Sequence, residues 1–102
     1  MDTPLEALLQ ALQGYEPQRI LLFGSAARGE ADDASDLDIL VIKETAEPFV
    51  SRLERMAELC PPGVYADILV YTPQEIDRMV ADGNPFIIQA LAEGRVIYEA
   101  QS

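Results

Sequence analysis

The chain has 102 residues, 49% hydrophobic and 25% charged, which suits one domain over residues 1–102 with its own core. Eighteen acidic residues against seven basic ones give a formal net charge of −11, which repels nucleic-acid backbones and favours cations or basic proteins. Histidine is absent and Cys60 is the one cysteine, so an imidazole base, an imidazole metal ligand, an internal disulfide and a cysteine cage are all excluded.

Proton transfer then falls to a carboxylate, a tyrosine or water, and any metal must be a hard ion held by oxygen. No apolar run nears the ~20 residues of a membrane helix. The acidic, amphipathic start MDTPLEALLQ is unlike a signal or transit peptide, so a cytoplasmic location is the expectation.

Thr3-Pro4-Leu5-Glu6 predicts a helix start, with threonine as cap, proline at the first position and Glu6 closing a capping box. Leu5, Leu8, Leu9 and Leu12 follow at helical spacing, and Gly14 stops the run. Arg19–Phe23 (RILLF) predicts a short strand buried on both faces. Ser25 can cap a short helix over Ala26–Glu30, Asp32–Ser35 is a polar loop, and Leu37–Ile42 is a second strand. Ala46–Cys60 has a helical period, broken by Pro61-Pro62-Gly63. Val64–Tyr71 is a third strand, and Thr72-Pro73-Gln74-Glu75 repeats the opening capping signature. Gly83-Asn84-Pro85 breaks that helix, Phe86–Glu93 forms the last one with Phe86, Ile87, Ile88 and Leu91 as core or, alternatively, as part of a partner surface, and Arg95–Tyr98 is an edge strand. The alternation predicts an α/β or α+β domain, a small mixed sheet with helices packed on it; the order of the strands is not encoded in any local pattern.

The chemistry gathers at the strand mouths. Asp36 and Asp38 stand two apart, so in a strand both carboxylates face one side while Leu37 and Ile39 face the other. Two close carboxylates repel, and a divalent cation between them removes the conflict. Gly24-Ser25 follows the first strand, where a turn into a helix presents backbone N–H groups suited to phosphate, with Arg28 one turn on. Asp67 interrupts the apolar run VYADILVY, a costly position unless it is paired or binds a metal. If that strand lies beside Leu37–Ile42, three carboxylates adjoin a phosphate cradle, the layout of two-metal phosphoryl or nucleotidyl transfer.

Taken singly, each residue has a plainer reading. Gly24-Ser25 is also a strand-to-helix turn, Asp36 and Asp38 a solvated step into a strand, and Asp67 a partner for Arg19. Arg28 is equally a salt-bridge partner for Glu30 or Asp32.

The string GSAARGEADDASDLDILV, with Asp67 on a later apolar strand, resembles the DNA polymerase β-like nucleotidyltransferase superfamily. In length it looks like the minimal nucleotidyltransferases, the antitoxins of HEPN-type toxin–antitoxin pairs. Many relatives carry a basic or larger residue where this chain has Ala26, a departure that touches a phosphate or acceptor contact and not the carboxylates. The resemblance implies that Asp36, Asp38 and Asp67 are catalytic and hold two Mg²⁺ ions, with Asp67 helping to deprotonate an acceptor hydroxyl. Gly24 and Ser25, with Arg28, would hold the phosphates of ATP. The acceptor would be a tyrosine of a basic HEPN ribonuclease toxin, met in a hetero-oligomer, with no direct nucleic-acid contact and no membrane. Two other activities stay open: an antitoxin that acts by occlusion alone, and a small-molecule nucleotidyltransferase of the aminoglycoside-modifying kind.

Overall fold

A computed structural model of the protein describes residues 3–24 and 37–100. The elements run α1 (Pro4–Gln13), β1 (Arg19–Phe23), β2 (Leu37–Ile42), α2 (Phe49–Leu59), β3 (Ala66–Tyr71), α3 (Pro73–Ala81), α4 (Pro85–Glu93) and β4 (Arg95–Glu99).

Three helices open on a polar cap followed by proline. Thr3 Oγ1 accepts the Glu6 N–H at 3.1 Å. At α3 the box is reciprocal: Thr72 Oγ1 accepts the Glu75 N–H at 3.1 Å and Glu75 Oε1 accepts the Thr72 N–H at 2.8 Å. Asn84 Oδ1 accepts from both Phe86 and Ile87, so Gly83-Asn84-Pro85 is a cap and first turn as well as a break. α2 begins at Phe49, three residues later than its periodicity suggests. Pro48 disfavours helical backbone at the residue before it and itself serves as the N-cap. β3 starts at Ala66, because the Val64 N–H turns back to the Pro61 carbonyl at 3.2 Å.

The four strands form one mixed sheet in the order β3-β2-β1-β4. β1 runs antiparallel to β2 and β4, whereas β2 and β3 are parallel. This is the α+β class expected from the alternation of elements, with two helices on each face. One face packs Ile20, Leu22, Ile39, Val41, Ile68 and Val70 against Leu8 and Leu12 of α1 and Met56 of α2. The other packs Leu21 and Leu40 against Ile76 of α3 and Ile87 of α4. The apolar runs of β1 and β2 follow from this double cover. The expected core stripe of α4 is narrower than the sequence suggests: Ile87 is buried, but Phe86 and Ile88 are 40% and 43% exposed.

Arg52 of α2 is buried in this framework, with 5% of its surface exposed. Its Nε donates to the Glu47 carbonyl at 2.9 Å and its Nη1 to the Val70 carbonyl at 3.1 Å. The guanidinium also grips the Glu75 carboxylate through both oxygens, at 2.6 and 3.2 Å. One side chain thus ties α2, the end of β3 and the capping box of α3. Hydrogen bonding from Arg52, ahead of the opposing effect of burial, holds the Glu75 carboxyl below the usual carboxylate range.

Arg52→Met, which keeps the bulk and strands Glu75, should lower the unfolding free energy by roughly 2–4 kcal/mol. Because the folded pKa of Glu75 is depressed, its contribution is fully present above the unfolded carboxylate value and is lost as the pH falls from there through the lower folded pKa. Thermal unfolding from about pH 7 to about pH 3 should therefore show the gap between wild type and Arg52→Met narrowing on acidification.

Candidate active site

The sheet register brings two of the sequence-expected carboxylates together. In the parallel pair, Asp38 of β2 stands opposite Asp67 of β3, and in the antiparallel pair it stands opposite Phe23, the last residue of β1. Adjacent strands lie about 4.8 Å apart, and paired residues share a face. Asp38 and Asp67 therefore sit side by side on the face covered by α3 and α4, while their neighbours Leu37, Ile39 and Ile68 turn to the α1–α2 face. This separation of carboxylates from core residues is the one expected for Asp38.

Gly24 closes the group. It follows β1 with φ of +73°, a left-handed backbone that favours glycine. The Asp38 carboxylate presses against its Cα: a Cβ there would lie 3.2 Å from Asp38 Cγ and closer still to Oδ2. The glycine thus serves the carboxylate as much as any phosphate that approaches the turn. Ser25, Arg28 and Asp36 lie outside the described residues.

Asp67 is not buried, contrary to the reading of VYADILVY as a strand with a costly aspartate inside it. It is exposed at the mouth of β3, and only Ile68 and Val70 beyond it enter the core. Its alternative partner is also excluded. Arg19 lies at the other end of the sheet and pairs with Glu99 at 3.0 Å.

The pair suits a hard divalent cation. The donors are carboxylate oxygens only, set on neighbouring strands with one exposed to solvent, and like charges this close gain from a cation between them. Among the described residues no third acidic, histidine or cysteine ligand joins them. The wall beside Gly24 is not marked by any motif in the sequence. Phe23 and Phe86 meet edge to face, with centroids 5.6 Å apart, and with Gln89, Ala90 and Glu93 they bound a cavity of about 180 Å³. The available signal was Phe86 itself, a large apolar residue beside a helix-opening proline, where burial is hard to complete. No helix among the described residues is long and apolar enough to cross a membrane.

Residues 6–102 match the family model described as Polymerase beta, Nucleotidyltransferase. No curated protein matches. Among solved structures, a crystal structure from Sulfolobus solfataricus, provisionally assigned as a nucleotidyltransferase, is similar to this chain with a TM-score of 0.57 and 18% identity. The similarity covers 97% of this chain and 89% of that one, and it supports the fold.

Gly24→Ala should cost about 1–3 kcal/mol in unfolding free energy and weaken Mg²⁺ binding, because backbone strain and the clash with Asp38 act together. Gly83→Ala is the control. Its φ is +75°, but an added Cβ meets nothing within 4 Å, so stability should fall while Mg²⁺ affinity stays unchanged. Calorimetric titration beside thermal melts separates the two effects.

Proposed function

The chain belongs to the polymerase β nucleotidyltransferase family, and from that premise we propose that it transfers AMP from ATP to a protein hydroxyl, a tyrosine of a basic HEPN-type ribonuclease toxin, and so acts as that toxin's antitoxin. Nucleotidyl transfer is the general chemistry of the family, which uses a nucleoside triphosphate and a divalent metal. The observation that carries the reading at the site is the register pairing of Asp38 with Asp67, one strand away from Gly24.

In this reading Asp36, Asp38 and Asp67 would hold the divalent metal, with Asp67 also serving the acceptor hydroxyl. Gly24, Ser25 and Arg28 hold the β- and γ-phosphates. Bound divalent cations supply charge neutralisation on the phosphate oxygens and acidify the acceptor hydroxyl. The acceptor oxygen forms a bond to the α-phosphorus. The bond from that phosphorus to the bridging oxygen breaks, and pyrophosphate leaves with its electron pair. The hydroxyl proton passes to the Asp67 carboxylate, which is exposed and can return it to water. The net charge of −11 favours encounter with a basic acceptor protein.

The test is transfer of α-labelled ATP to a HEPN-type toxin. Label should appear on a tyrosine with Mg²⁺, vanish with EDTA, and drop on the order of 10³-fold in Asp38→Asn and in Asp67→Asn. Neutralisation of the toxin by an unlabelled Asp38→Asn complex would replace the catalytic reading with occlusion. Label on a small polyol and on no protein would replace it with small-molecule transfer.

A further inference from the structure

Among the described residues β3 is an edge strand, and the side of it that pairs with no other strand runs past Asp67. The Leu37 N–H donates to the Tyr65 carbonyl at 3.0 Å and the Lys43 N–H to the Tyr71 carbonyl at 3.1 Å. Odd-numbered residues of β3 therefore turn their backbone groups toward β2, and Ala66, Ile68 and Val70 turn theirs outward. Arg52 already occupies the outward carbonyl of Val70. Among the described residues, no backbone group bonds the outward N–H and C=O of Ala66 and Ile68, which flank Asp67 on either side.

A cavity of about 140 Å³ lies against this edge, walled by Leu53, Met56, Ala57 and Cys60 from the α2 side. Leu53 is 37% exposed at its rim. Glu54 and Glu58, on the same helix, are exposed. The edge thus combines open backbone groups, a recess whose helix wall is apolar and whose strand wall includes Asp67, the Asp38–Asp67 pair, and negative charge alongside.

We propose that the acceptor protein presents its hydroxyl on an extended, basic segment that pairs as an added strand with Ala66–Ile68. The inference rests on the protein-acceptor reading above. Residues facing each other across a ladder share a face. A hydroxyl-bearing residue opposite Asp67, or two positions along and within diagonal reach, lies on the face that carries both carboxylates. Its immediate neighbours turn to the opposite face and meet the recess beside Leu53, so they should be apolar. Lysine or arginine outside them meets Glu54 and Glu58. Main-chain bonds supply affinity and the alternating side chains supply selectivity. Arg52 sets the limit of the added strand, since the Val70 carbonyl is taken.

The probe is a lysine-flanked Val-Tyr-Val heptapeptide, measured with the full chain by fluorescence anisotropy and, in parallel, by AMP transfer from labelled ATP. N-methylation of the peptide amides that face β3 should weaken binding on the order of tenfold or more, as lost hydrogen bonds require, while N-methylation of the alternate amides leaves it unchanged. Ala66→Pro should give the same loss. It removes an outward N–H at the first residue of an edge strand, where proline is tolerated, and a normal melting curve for the variant establishes that it folds. Binding that is absent, or indifferent to both changes, overturns the docking mode whatever the toxin-labelling experiment shows. Binding that obeys both changes with no AMP transferred upholds the docking mode and counts against the protein-acceptor reading instead.

Discussion

The register of β2 governs what this molecule can do. β2 is paired antiparallel with β1 on one side and parallel with β3 on the other, so one strand sets Asp38 against the end of β1 and beside Asp67 at once. Side chains alternate with a period of two, and a one-residue slip would send Asp38 into the cluster of Ile39 and Val41 and bring Leu37 and Ile39 to the site face. Burial of the apolar set on both faces makes that slip prohibitive. The hydrophobic core therefore fixes the position of the carboxylates more firmly than any polar contact among them does.

The helices secure that register from both sides. α1 and α2 cover one face and α3 and α4 the other, so β1 and β2 have no solvated side from which to loosen. Arg52 joins the two layers at the far end of β3. Its bonds to the Val70 carbonyl and to Glu75 place the start of α3 relative to the strand that carries Asp67. A charged group at the sheet edge thus ties the strand that carries Asp67 to the helix that follows it.

Much of this was written in local patterns. The solid apolar run of RILLF announced a strand covered on both faces, LDILVI a second strand, and the threonine–proline–glutamate signatures located two helix starts to the residue. The spacing of Asp36 and Asp38 separated site face from core face before any fold was known. Properties set by distant pairing were not legible. That Asp67 is opposite Asp38 depends on a parallel neighbour 29 residues on, and the exposure of Asp67 depends on which residues of β3 the helices reach. Arg52 reads in sequence as an ordinary polar residue of an amphipathic helix; only the meeting of α2, β3 and α3 buries it. Phe86 and Ile88 failed the core expectation for a related reason, since a nine-residue helix at the margin of a small sheet has little surface to cover them.

An open strand edge on an apolar sheet carries the hazard of templating further copies into fibrils. Cross-β stacking needs about six or seven residues of uninterrupted edge. The Arg52 guanidinium on the Val70 carbonyl cuts the available run of β3 to the stretch around Ala66 and Ile68, and Pro61 and Pro62 stand shortly before it in the chain. The interaction that braces the domain internally thus also shortens this one of the sheet's two edges, and loss of Arg52 would lengthen a sticky edge as well as loosen the fold.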